Sequence, residues 1–276
     1  MERSPEKAAR RRSRLRLLLV AVLVLGWCLE LSANERLFTY TYETATLPEG
    51  ARELEIWTTA RVGRDGYYSR MENRLEFEWG VTDNLQSALY FNTKGILQGS
   101  GSDLEKKTYY PSVSWEWKYR LLNRSTSPVG IALYGELGYA PHEAEVELKL
   151  LADKRIGKVL VAVNFVFERE YKYVNSDVSK TEDILELDLG ISYSVSPKLA
   201  LGFEGRVHGA HECAESNCFE DIERYAVYAG PVVSWSTRAA WVALTFTKQL
   251  MASGGEGLDL DEHERYNARL LTGFHF

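Results

Sequence analysis

Apolar and polar residues alternate along this chain in short runs bounded by turn chemistry, the period of a strand with two different faces. From Ser112 to Leu121, Val113, Trp115, Trp117, Tyr119 and Leu121 share one parity; Ser112, Ser114, Glu116, Lys118 and Arg120 share the other. Leu75, Phe77 and Trp79 alternate with Arg74, Glu76 and Glu78, and Leu185, Leu187, Leu189, Ile191, Tyr193 and Val195 alternate with Glu186, Asp188, Gly190, Ser192 and Ser194. Val159, Val161, Val163, Phe165 and Phe167 make a further apolar face. The chain ends the same way. Tyr266, Ala268, Leu270, Thr272, Phe274 and Phe276 oppose Asn267, Arg269, Gly273 and His275, with Leu271 alone out of step.

Continued along the chain, this reading predicts twelve strands, roughly 51–62, 67–81, 85–97, 107–121, 129–140, 144–153, 157–173, 182–195, 198–209, 221–235, 239–250 and 264–276. Short turns are predicted near Thr82-Asp83-Asn84, Asn123 to Pro128, Asp153 to Gly157, Ser196-Pro197-Lys198 and Ser236-Thr237-Arg238. Longer polar loops are predicted near Gln98 to Lys106, Val174 to Thr181, Gly209 to Glu220 and Ala252 to His263. Short turns at one end and long loops at the other is the layout of a transmembrane barrel, and an even strand count leaves both termini at the short-turn end. The segment Glu35 to Thr46 also alternates; we read residues 34–50 as an extension packed in the lumen or on the rim, and 51–276 as the barrel.

The first 33 residues form a separate unit. Arg10, Arg11, Arg12, Arg14 and Arg16 precede an apolar run from Leu17 to Leu29 and the small-residue ending Leu31-Ser32-Ala33. The run is shorter than the roughly 20 residues a bilayer helix needs, so residues 1–33 read as a secretory signal peptide cut after Ala33. Its removal takes 7 basic and 3 acidic residues from totals of 33 and 39, leaving 26 against 36 and a net charge of −10. A chain this acidic is not expected to bind nucleic acid. Two cysteines remain, Cys213 and Cys218, and in an exported chain they are expected to form a small disulfide loop.

The terminal strand ending in Phe274 and Phe276 resembles the carboxy-terminal strand of Gram-negative outer-membrane barrels. That resemblance implies that Phe274 and Phe276 act as a signal to the barrel-assembly machinery, with outer-membrane lipid as the surroundings. Thr46-Leu47-Pro48-Glu49-Gly50, followed by Glu53 and Glu55, resembles the start of the first strand in uncharacterised porin-like proteins and in outer-membrane proteins linked to the degradation of aromatic compounds.

A soluble β-sandwich shares the alternation, but other features favour lipid. Aromatic residues cluster toward strand ends (Trp79, Tyr90, Phe91, Tyr109, Tyr110, Tyr119, Tyr139, Tyr171, Tyr173, Trp235), as interfacial girdles require. The apolar faces of the central strands carry almost no charge, whereas the polar faces carry both signs. The expected fold is therefore an all-β, antiparallel, up-and-down transmembrane barrel in the outer membrane. Twelve strands leave a narrow lumen. The candidate selectivity residues crossing it are Glu72, Arg74, Glu76, Glu116, Lys118, Arg120, Glu136, Glu186, Asp188, Glu204, Arg206 and Arg269.

Little in the chain suggests catalysis. His142, His208, His211, His263 and His275 sit in no nucleophile–base motif, and Ser234 and Ser236 lack a partner in sequence. His208, His211, Cys213 and Cys218 with Glu212, Glu215 and Glu220 make the most metal-like cluster, but an exported cysteine pair more often oxidises than ligates. The acidic run Glu256, Asp259, Asp261 and Glu262 reads as a solvated loop. No enzyme activity, cofactor or metal is expected. The expected role is a narrow channel or binding pore for a small solute, with a non-conducting barrel acting through its outer loops as the alternative.

Overall fold

A computed structural model describes residues 36–100, 103–108, 111–174, 177–213, 224–253 and 257–276. The strands are β1 (Arg52–Val62), β2 (Tyr67–Thr82), β3 (Leu85–Ser100), β4 (Asp103–Thr108), β5 (Ser112–Leu122), β6 (Gly130–Ala140), β7 (Glu143–Ile156), β8 (Val159–Val174), β9 (Asp177–Ser196), β10 (Leu199–Cys213), β11 (Arg224–Ser236), β12 (Ala240–Ala252) and β13 (Tyr266–His275). Pairing is antiparallel between sequence neighbours, and β13 returns to pair with β1, closing the ring. β4 pairs with the outer part of β3 and β5 with its inner part, so the two are pieces of one staves' position and the wall has twelve. Closure leaves no sheet edge to be satisfied by lipid, which offers no hydrogen bonds.

Three of the expected long loops are corrected, the one at Gly209 to Glu220 over its first part, since Gly209 to Cys213 continue β10 and pair with β9. Gly99 pairs with Leu104 and Ser100 with Asp103, while Val174 pairs with Asp177, so 98–100, 103–106, 174 and 177–181 belong to strand ladders. Polarity marks where lipid ends; it does not end a ladder whose bonds are made by backbone. The fourth does leave the sheet after Ala252, and residues 257–265 form a loop before β13. The five short turns lie where alternation stops, at the end that also holds Gly50 and His275 (the terminal end). The signal peptide falls outside the described residues, as does Cys218 and therefore the expected disulfide.

The side chains sort by parity into an inverted protein. Leu75, Leu89, Trp115, Leu137, Phe165, Phe203 and Phe246 point outward, between 43% and 57% exposed in the bare chain. Glu53, Glu76, Glu116, Glu136 and Glu204 point inward and are at most 1% exposed. No second sheet covers the apolar face, so hydrocarbon must. Tyr90 corrects the girdle expectation: Phe91 takes the lipid side at 60% exposed, and Tyr90, next along the strand, is buried inside at 1%. Leu271, out of step in sequence, faces inward and packs with Trp57, Trp241, Ala243 and Tyr42. We expect Phe165→Arg to lower folding free energy in lipid vesicles by about 2–4 kcal/mol. An unchanged denaturant midpoint would mean that this face is not against lipid.

Candidate functional site: the barrel lumen

The lumen is divided along its axis. Its terminal half is filled by residues 36–47, which are not a strand but a coil threaded into the barrel. Phe38, Tyr40, Tyr42 and Leu47 are at most 5% exposed. A coil has unpaired amides, and the wall supplies polar side chains at the positions where they point inward. Gln86 Oε1 accepts from Leu47 N at 2.9 Å, and Asp153 Oδ2 accepts from Thr44 N at 2.9 Å. Asn164 holds Tyr42 at both backbone atoms, accepting from its N at 2.6 Å and donating to its O at 2.9 Å.

Glu204 is the main clamp. Its Oε1 accepts from Tyr40 N and Thr41 N, both at 2.8 Å, and its Oε2 accepts from Thr39 N and Thr39 Oγ1, both at 3.1 Å. Thr245 Oγ1 donates to the same carboxylate. Successive N–H groups converging on one oxyanion are charge-assisted bonds in a dry setting, which are the strong kind.

Aromatic rings fill the remaining space against cations. Tyr40 lies between the guanidinium groups of Arg269 and Arg206, 3.9 and 4.5 Å from its centroid. Tyr42 lies between Arg36 and Lys149, at 4.1 and 4.2 Å, and meets Tyr134 edge-on at 5.2 Å. Phe38 lies against Leu160, Ala162 and Val232, in a cradle floored by Gly190. A Cβ at Gly190 would stand 2.8 Å from the Phe38 ring, so the wall is thinned to a hydrogen at this point.

Beyond the segment, toward the loop end, the lumen holds a vestibule of paired charges, buried near the segment and partly exposed farther out. Arg61 meets Glu72 at 3.0 Å, Arg70 meets Glu72, and Lys172 bridges Glu170 at 3.0 Å and Glu182 at 2.6 Å. Arg206 pairs with Glu186 and lies 3.6 Å from Asp188; His208 Nδ1 stands 2.8 Å from Glu186. The loop before β13 dips into this mouth, where His263 meets the His208 ring edge-on at 5.7 Å. Within that loop burial pushes the Asp259 carboxyl up, but the amides of Glu262 and Asp261 and the His263 ring outweigh it and hold it below its ordinary value. Arg269 has no carboxylate within salt-bridge distance among the described residues. It donates to Thr59 Oγ1 at 2.9 Å and to Thr39 O at 3.4 Å, where the vestibule meets the tip of the segment.

The twelve candidate residues are therefore not one ladder. Glu72, Glu186, Asp188, Arg206 and Arg269 line the vestibule or its floor, and Glu204 grips the segment. Arg74 pairs with Glu136 at 3.2 Å beside the segment's aromatic rings, and Glu76, Glu116 and Lys118 are buried in the wall next to it. Arg120 lies at the rim, donating to Asp83 O at 2.7 Å and Asn84 Oδ1 at 2.9 Å. The sequence reading passed over Asp153, Asn164 and Gln86. Each is an uncharged or singly charged polar residue on an inward parity, and nothing in the local pattern distinguishes a clamp from lining.

A family described as being of unknown function, DUF6662, matches residues 30–276. The chain belongs to that family. No curated protein matches the sequence. Among solved structures, the COG4313 outer-membrane channel from Pseudomonas putida F1 is similar at TM-score 0.58 and 14% identity, over 87% of this chain and 100% of that one. The NanC porin is similar at TM-score 0.52 and 11% identity, over 80% and 98%. The KdgM porin, solved in complex with disordered oligogalacturonate, is similar at TM-score 0.50 and 11% identity, over 81% and 99%. At these identities the likeness is one of fold: this chain has the fold of an outer-membrane β-barrel.

Proposed function

We propose that the protein is a narrow channel or binding pore for a small solute in a Gram-negative outer membrane, closed at its terminal end by residues 36–47. The observation that supports this is the division of the lumen. A charge-lined vestibule on the loop side ends on a segment held by side-chain clamps rather than by strand pairing. Clamps made of a few carboxylates and amides are a set of contacts that can be exchanged as a unit while the wall's own ladder stays closed. No catalytic step is part of the proposal.

The unpaired guanidinium of Arg269 gives the pathway a sign. An anionic group reaching the vestibule floor would meet it beside Tyr40, and the KdgM porin, whose partner in its structure is an acidic oligosaccharide, is a precedent for the fold. The test is single-channel recording in planar bilayers of the full mature chain, a variant lacking residues 36–46, and Arg269→Gln. The deletion is expected to raise steady conductance several-fold, and Arg269→Gln to shift the reversal potential in a salt gradient toward cation selectivity. Absence of discrete events from both the full chain and the deletion would favour the non-conducting, loop-acting barrel.

Phe276 is proposed as the mark read by the assembly machinery. Its ring packs on Phe77 at 5.7 Å between centroids, and its amide donates to Arg52 O at 3.2 Å, so it also helps seal the β1–β13 seam. Deleting it is expected to lower the folded, heat-modifiable fraction in cells much more than refolding yield in detergent. An equal loss in both would assign Phe276 to the seam alone.

A further inference from the structure

Five carboxylates face the lumen side by side on adjacent strands near the terminal end. Register alone assembles them: Glu53 lies opposite Glu78 and Glu55 opposite Glu76 across β1 and β2, and Ala88 of β3 connects Glu78 to Glu116 of β5. None is more than 4% exposed. Carboxylate oxygens of Glu76, Glu78 and Glu116 lie within 4.8 Å of one another, and so do those of Glu53, Glu55 and Glu78.

Neutral donors and cations satisfy only part of this group. Trp241 Nε1 donates to Glu53, Trp57 Nε1 donates to Glu55 at 2.7 Å, and Tyr90 Oη donates to Glu116 Oε2. Arg36 stands 3.8 Å from Glu55, and His275 stands 3.0 Å from Glu53. Nothing comparable reaches the middle of the cluster. Glu76 Oε2, Glu78 Oε2 and Glu116 Oε1 are buried without a hydrogen-bond partner, and Glu76, Glu78 and Glu116 have no cation within salt-bridge distance among the described residues. Like charges that close, dry and unpaired repel each other and forgo hydration at once, so the cluster has to be neutralised by a cation or by protons held among its oxygens.

We infer that Glu76, Glu78 and Glu116, with Glu55 adjoining, bind a hard divalent cation of calcium size in the inner wall of the barrel. The donor set is oxygen alone, with no imidazole or thiolate, which suits calcium rather than zinc or copper. Three carboxylates, two from β2 and one from β5 across the small Ala88 of β3, each offering a free oxygen, supply the charge that a dication needs, and the rigid ladder behind them sets the spacing. Glu78 is the hinge of the site because it belongs to both oxygen triplets. The ion would tie β1, β2 and β5 together across β3, directly beside the threaded segment, whose residue Arg36 makes the adjoining contact to Glu55. This departs from the expectation of a metal-free chain, which no sequence motif contradicts because Glu55, the Glu76–Glu78 pair and Glu116 lie tens of residues apart.

The test uses the full mature protein in detergent, stripped with chelator and titrated with terbium under tryptophan excitation. Trp57, bonded to Glu55, is the built-in sensitiser. Wild type is expected to give sensitised terbium emission that calcium displaces, and calcium is expected to raise its unfolding temperature. Glu78→Gln is isosteric and removes a buried charge, so it should fold as well as wild type in chelator; it should bind terbium about tenfold or more weakly and lose the calcium-dependent thermal shift. Glu145→Gln, in the half-exposed rim triplet Glu143, Glu145 and Glu170, should leave both readouts in place. No sensitised emission, emission that survives Glu78→Gln, or emission lost with Glu145→Gln would each overturn the site and leave protons or the chain's own cations to neutralise the cluster. Channel recordings are independent of this readout, so a failed cation site and a failed channel are distinguishable.

Discussion

Glu204→Leu is expected to release residues 36–47 from the lumen. The substitution removes an acceptor shared by three consecutive amides and two hydroxyls, all of them buried. Bonds to a charged group contribute about 1.5–3 kcal/mol each, and a buried donor left without a partner costs about 1–3 kcal/mol, though such terms do not add in full. Even about 3 kcal/mol would change the docked-to-released ratio by roughly a hundredfold. The leucine also leaves Arg206 and Arg269 facing a lumen with one fewer negative charge, which further loosens the Tyr40 sandwich. Bilayer recordings should show long open dwell times where wild type is mostly closed, and a protease added from the terminal side should cut within 36–47 while the strands stay intact. A segment still protected, with unchanged conductance, would show that the clamp does not hold the closed state.

The second large effect is expected from Gly190→Leu, which reaches the same state by a different route. It leaves every hydrogen bond to the segment in place and fills the space the Phe38 ring occupies. Phe38 must then leave its cradle of Leu160, Ala162 and Val232, giving up about 2–3 kcal/mol of apolar burial. The open fraction should rise as it does for Glu204→Leu. Because both act on one docking equilibrium, the double variant should add little to either alone once the segment is out. Leu189→Phe is the control: one residue away, it points into lipid at 43% exposed and should change nothing in the recordings. If both variants acted alike, the effect would come from the strand and not from the face.

The wall of this barrel was legible residue by residue. Strand limits at the terminal end, the short turns and the inward parity of Glu116, Glu136, Glu204 and Arg206 all follow from a period of two, because a closed sheet in lipid has only two environments and each side chain must choose one. Where the pattern misled, it did so for local reasons. Tyr90 is amphipathic enough to suit either face, so its aromatic ring was read as girdle when its hydroxyl belongs to Glu116. Leu271 broke the polar parity because the lumen it faces is not water at that depth but Tyr42 and Trp57.

The contents of the barrel were a different matter. Phe38, Tyr40 and Tyr42 alternate with Thr39, Thr41 and Glu43 as a thirteenth strand would, and alternation does not say whether a partner strand is available. Once β1 and β13 have paired, none is, and the segment has to be satisfied by side chains from β3, β7, β8 and β10. Sequence by itself determined which residues face inward, since that depends only on each residue and its neighbours. Which inward residues meet, and so which grip the segment, which line the vestibule and which crowd five carboxylates together, was decided by tertiary structure. Those meetings depend on register between strands far apart in the chain, and register is set by closure of the whole ring.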